Sequence, residues 1–128
     1  MRQRLNILVV DDEPSVRSSL VWALRPLGHS VEIVDDGEQA LAKLATNPMI
    51  DLLITDHSMP RMRGLELVRR LRDRSYRGKV VVLSAHLSQQ TRAAYNSSGV
   101  DAVMRKPFDV DALRETIGEL FPNPSAVL

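Results

Sequence analysis

The sequence predicts a doubly wound α/β fold: a five-stranded parallel sheet with about five helices shared between its two faces. Three observations predict it. Short apolar runs rich in Val and Ile alternate along the chain with amphipathic stretches at helical spacing. The runs are nearly continuous in their hydrophobicity, as expected of parallel strands covered on both faces and not of half-solvated antiparallel ones. The chain has 128 residues, the size of one domain, and they accommodate five strand–helix units.

The first strand is Asn6–Val10. The helix after it is read over 14–27, with Val16, Leu20, Ala23, Leu24 and Leu27 on one stripe, Pro14 suited to the first helical position and Gly28 to a left-handed terminus. Ser30–Val34 is the second strand, and 37–45 is a helix carrying Ala40, Leu41 and Leu44 and stopped by Asn47-Pro48. The third strand is read over 51–55, followed by a helix over 64–72 with Leu65, Val68 and Leu71 inward. The fourth strand covers 79–83, and the helix over 88–98 starts at a capping Ser88 and ends at Gly99 with a thin apolar face of Ala93, Ala94 and Tyr95. The last pair is Ala102–Arg105 and 110–121, the helix capped by Asp109. Right-handed crossovers leave few topologies for five such units, and the flavodoxin-like order 2-1-3-4-5 is the common one at this size. The expected division is one domain over 1–121 and a C-terminal tail or start of a linker over 122–128, where Pro122 and Pro124 cannot continue a helix.

Composition excludes several classes. Apolar residues make up 44% and charged residues 26%, a globular balance. With a net charge of +1 there is no bulk field for nucleic acid, and Arg61, Arg63, Arg69, Arg70, Arg72 and Arg74 read as a solvated helix face. The absence of cysteine removes disulfides and thiolate metal sites. No apolar stretch reaches the ~20 residues a bilayer requires, so a cytoplasmic protein without membrane or direct nucleic-acid contact is expected.

In an open parallel sheet ligands bind beyond the carboxyl ends of the strands, where the strand order reverses. Strand one ends in Asp11-Asp12-Glu13, strand three in Asp56, strand four in Ser84 and strand five in Lys106-Pro107. Each piece alone is commonplace, since paired Asp residues cap helices and Asp, Ser and Lys-Pro punctuate turns. Together they assemble the parts of one reaction on one sheet edge. Three close carboxylates need a cation, and all-oxygen donors favour Mg²⁺. A metal and a lysine can neutralise a phosphoryl group moving in line onto a carboxylate nucleophile, with Ser84 hydrogen-bonding a phosphoryl oxygen.

At these residues the chain resembles the receiver domain of two-component response regulators. The resemblance runs from Leu5 to Phe121 and rests on Ile7–Glu13, Leu52–Pro60 with Gly64-Leu65-Glu66-Leu67, Val81–Ala85 and Lys106-Pro107-Phe108. It implies that Asp56 is the phosphoacceptor, that Asp12, Asp56 and the backbone carbonyl of Ser58 hold Mg²⁺ with Asp11 contacting it largely through water, and that Ser84 and Lys106 bind the phosphoryl group and drive a conformational switch. It also implies a histidine kinase or histidine phosphotransfer protein as donor, an output partner or fused domain, later hydrolysis of the aspartyl phosphate, and a signalling protein, not an enzyme acting on other substrates.

One position departs from the family pattern. Three residues before the lysine, where such proteins usually carry a Tyr or Phe that reports phosphorylation, stands Val103. A valine has no ring to swing, which puts the usual output route in question and keeps a degenerate receiver, acting only as a binding module, as the alternative. Ser58 and His86 sit where the family tunes phosphoryl lifetime. His57 and His86 read as solvated loop histidines, and Trp22 falls opposite the apolar stripe of the first helix, exposed and available for donor docking. A flavodoxin-type cofactor protein would need a phosphate-cradling loop where Asp11-Asp12-Glu13-Pro14 stands, and an aspartate-nucleophile phosphatase would need an acid two residues after Asp56, where Ser58 stands.

Overall fold

The computed structural model describes residues 4–122. The strands are β1 (Asn6–Val10), β2 (Ser30–Val34), β3 (Leu52–Asp56), β4 (Lys79–Ser84) and β5 (Ala102–Arg105); the helices are α1 (Pro14–Leu24), α2 (Gly37–Thr46), α3 (Gly64–Asp73), α4 (Gln89–Ser97) and α5 (Val110–Leu120). All pairings are parallel and the strand order is β2-β1-β3-β4-β5, as predicted. The tail expected over 122–128 lies outside the described residues apart from Pro122.

Strand alternation splits the core in two. Leu8, Val10, Leu53, Val80 and Val82 face α2, α3 and α4 and pack with Leu41, Leu44, Leu67, Leu71 and Tyr95. Ile7, Val9, Leu52, Ile54, Val81 and Leu83 face α1 and α5 and pack with Leu20, Leu24, Leu113 and Ile117. Continuous apolar strands are therefore required, because both pleat directions point into a core.

Two differences from the sequence reading have clear causes. The first helix ends at Leu24, and Arg25–Leu27 tightens into a 3₁₀ turn. Pro26 has no N–H to continue the α-helical ladder, and Gly28, at φ 94°, closes the turn by donating to Arg25 O at 2.9 Å. The arginine stretch is not uniformly solvated either. Arg72 turns inward and donates to the carbonyls of Tyr76, Gly78 and Gly99 at 2.7, 3.0 and 2.8 Å, joining the end of α3 to the loop before β5.

At the amino edge of the sheet the backbone amides of Asn6 and Val80 are capped by the Asp51 and Asp101 carboxylates, each at 2.8 Å. The opposite, carboxyl edge is where Asp11, Asp12 and Asp56 collect.

Candidate functional site at the carboxyl edge of the sheet

Register places the strand ends together. Val10 pairs with Thr55, Asp56 with Leu83 and Ser84 with Arg105, so the residues following β1, β3, β4 and β5 emerge side by side. Asp11 is 1% exposed, Asp56 6% and Ser84 5%, whereas Asp12 is exposed at the rim. Asp11, Asp12 and Asp56 each offer a carboxylate oxygen, and these atoms lie within 4.8 Å of one another. The Lys106 ammonium donates to Asp11 Oδ2 at 2.9 Å and pairs with Asp56 Oδ1 at 3.2 Å.

Local hydrogen bonds hold this arrangement. The Glu13 amide donates to Asp11 Oδ1 at 2.9 Å and the Arg17 Nε–H to the Asp11 carbonyl at 2.6 Å. Arg17 also pairs with Asp35 after β2, fastening the β1–α1 loop to its neighbour. The loop after β3 is anchored by the buried side chains of Met59 and Met62. A Cβ on Gly64 would come within 2.6 Å of the Asp56 carbonyl, so only glycine lets α3 start this close to the site.

Electrostatics follow from burial and neighbours. Burial pushes the Asp56 carboxyl above its ordinary value of 3.8; Lys106 opposes the rise and Asp11 adds to it. Burial alone would lower Lys106, but its hydrogen bond to Asp11 and the charges of Asp56 and Asp11 outweigh that and hold the ammonium above 10.5. Lys106 neutralises one of three negative charges. The remaining excess, presented by hard oxygen donors in a largely buried pocket, fits a divalent cation of the Mg²⁺ kind.

The other residues singled out by sequence have varied surroundings. The Ser84 hydroxyl donates to the His86 carbonyl at 2.9 Å and accepts from the His86 amide at 3.2 Å, closing a turn of its own loop. Val103 packs half-buried on the α2–α3–α4 side of the sheet. His86 is exposed, as read from sequence. His57 is not a solvated loop residue: its Nδ1 meets the Tyr95 hydroxyl of α4 at 2.5 Å, the rings lie edge to face at 75°, and burial with the nearby Arg63 charge lowers its pKa below 6.5. Sequence reading missed this pair. The only signal was Tyr95 as a lone aromatic on the thin face of α4. Trp22 is 68% exposed with the Arg114 guanidinium 6.0 Å from its ring.

A carboxylate cluster and a half-buried lysine at the switch point of a 2-1-3-4-5 sheet define a doubly wound domain built around one acidic centre. The chain belongs to the response regulator receiver domain family, whose family model it matches over residues 7–118. It is 36% identical over 118 residues to Sensor protein EvgS of Escherichia coli (strain K12), covering 92% of this chain and 10% of that protein. It is 40% identical over 109 residues to Response regulator MprA of Mycobacterium avium (strain 104), covering 85% of this chain and 47% of that protein. The chain thus spans a tenth of one relative and about half of the other. Among solved structures, Vibrio cholerae chemotaxis protein CheY4 superposes with a TM-score of 0.86 at 29% identity, over 93% of this chain and 100% of that one. The fold and family make this a signalling module of the two-component type. Among the described residues, no helix is long and apolar enough to cross a membrane.

Proposed function

We propose that this receiver domain is an Mg²⁺-dependent phosphorylation switch whose acceptor is Asp56. The observation that carries the reading is the buried Asp56 carboxylate held 3.2 Å from the Lys106 ammonium and clustered with Asp11 and Asp12. The Asp12 and Asp56 carboxylates and the Ser58 carbonyl would hold the cation, with Asp11 as an outer partner. When bound, Mg²⁺ supplies charge neutralisation at the phosphoryl oxygens.

The donor is a phosphohistidine on a sensor kinase or phosphotransfer protein. An Asp56 carboxylate oxygen attacks phosphorus and the P–N bond breaks. Its electron pair stays on the histidine nitrogen, which then takes a proton from water. Lys106 moves little to meet the incoming phosphoryl oxygens, because its ammonium already lies between Asp11 and Asp56. Ser84 must release His86 to hydrogen-bond the phosphoryl group, and that exchange remodels the β4–α4 loop. Water attack at phosphorus later restores the carboxylate and frees phosphate. The domain works in the cytoplasm, spans 1–121, and passes its state to an output partner or fused domain; it turns over no other substrate.

Intact mass after incubation with acetyl phosphate tests this. A gain of one phosphoryl group that requires Mg²⁺, disappears in excess EDTA and is absent in Asp56→Asn supports the reading. No gain, even with a purified phosphohistidine donor, leaves a receiver that serves only as a binding module.

A further inference from the structure

Tyr95 is the single fully buried side chain of α4 and is 0% exposed. The rest of the helix is Gln, Thr, Arg, Ala, Asn and Ser, mostly exposed. Tyr95 is therefore the helix's own buried anchor on the sheet, with Leu87 and Val100 packed half-buried at its flanks. That anchor ends at the functional site: its hydroxyl meets His57 Nδ1 at 2.5 Å.

His57 is covalently next to Asp56, and its backbone is fastened on both sides. Its amide donates to the Leu83 carbonyl and its carbonyl accepts from the Gly64 amide, each at 3.0 Å. A shift of the Asp56 backbone is thus carried into the imidazole with little slack. On the neighbouring β5, Val103 is a short half-buried aliphatic with no polar atom to answer such a shift.

We propose that Tyr95 is the positioning residue that transmits the state of Asp56 to α4, through its hydrogen bond to His57. The inference rests on phosphorylation at Asp56. A displacement of the β3–α3 loop changes the His57–Tyr95 geometry, the Tyr95 ring follows, and α4, whose one fully buried side chain is Tyr95, shifts with it. The signalling face is then the exposed surface of α4, carrying Gln89, Arg92, Ala93 and Asn96.

The test records amide NMR shift changes on adding Mg²⁺ and acetyl phosphate, with intact mass read on the same samples. Variants are Tyr95→Phe, which keeps the ring, His57→Leu, which removes the ring nitrogen, and His57→Asn, whose side-chain amide can donate to or accept from the Tyr95 hydroxyl. Equal phosphorylation in all, with α4 shift changes about fivefold smaller in Tyr95→Phe and His57→Leu and restored in His57→Asn, is expected for a coupling of ordinary size. Shift changes in the Ser84–Leu87 loop should persist in every variant. Phosphorylation with an undiminished α4 response in Tyr95→Phe would overturn the coupling alone. Absence of any mass gain in the parent protein, with acetyl phosphate and with a purified phosphohistidine donor alike, would instead remove the phosphoacceptor reading, and this inference with it.

Discussion

Replacing the buried acceptor carboxylate by its neutral isostere should stabilise the metal-free protein. In Asp56→Asn the side-chain volume is kept and the charge is lost. At an effective dielectric of ~20, the Lys106–Asp56 attraction at 3.2 Å is worth about 5 kcal/mol. The Asp11–Asp56 repulsion across at most 4.8 Å is worth about 3.5 kcal/mol or more under the same assumption. These nearly offset each other, so desolvation decides the sign, and it holds Asp56 above its ordinary value. A group whose folded pKa is raised binds a proton in the folded chain that the unfolded chain has released. Its ionisation therefore erodes stability as pH rises from 3.8 through the raised value. At pH 7 in EDTA, Asp56→Asn should be more stable by about 1–2 kcal/mol, read as a higher urea midpoint at unchanged slope. The gap should narrow as pH falls through the raised value toward 3.8, as the folded Asp56 carboxyl takes up a proton. Mg²⁺ at about ten times its dissociation constant should stabilise the parent protein by about 1.4 kcal/mol and shrink or reverse the gap. An Asn variant equal to or weaker than the parent in EDTA, with no pH dependence of the difference, would refute the reasoning.

Three further outcomes are expected. Lys106→Ala should retain Mg²⁺ binding, measured by calorimetry, while phosphorylation produces little NMR change outside the β3–α3 loop. Gly64→Ala drives a methyl to 2.6 Å from the Asp56 carbonyl and 2.8 Å from the Tyr95 hydroxyl; it should cost about 1–3 kcal/mol by urea denaturation and slow phosphorylation in the mass assay. Leu53→Ala, in a strand position 0% exposed, should cost about 3–5 kcal/mol by the same denaturation and leave a smaller folded fraction at 37 °C.

The parts of this protein that depend on local chain chemistry were legible in its sequence. Unbroken apolar runs such as Ile7–Val10 and Leu52–Ile54 announce strands covered on both faces. Gly28 marks a helix end, and Ser88 and Asp109 accept hydrogen bonds as N-caps. Strand number and crossover handedness then bring Asp11, Asp12, Asp56 and Lys106 to one edge, because parallel strands align their carboxyl ends. What sequence could not supply is which polar partner each side chain takes. The Ser84 hydroxyl is bonded within its own turn, and Arg72 leaves the solvated face to collect three carbonyls. His57 and Tyr95 are separated by 38 residues and meet only because β3 and α4 pack on the same side of the sheet. Periodicity tells which way a side chain points; which polar atom it finds there is decided by the packing of elements whose relative placement only the tertiary structure determines.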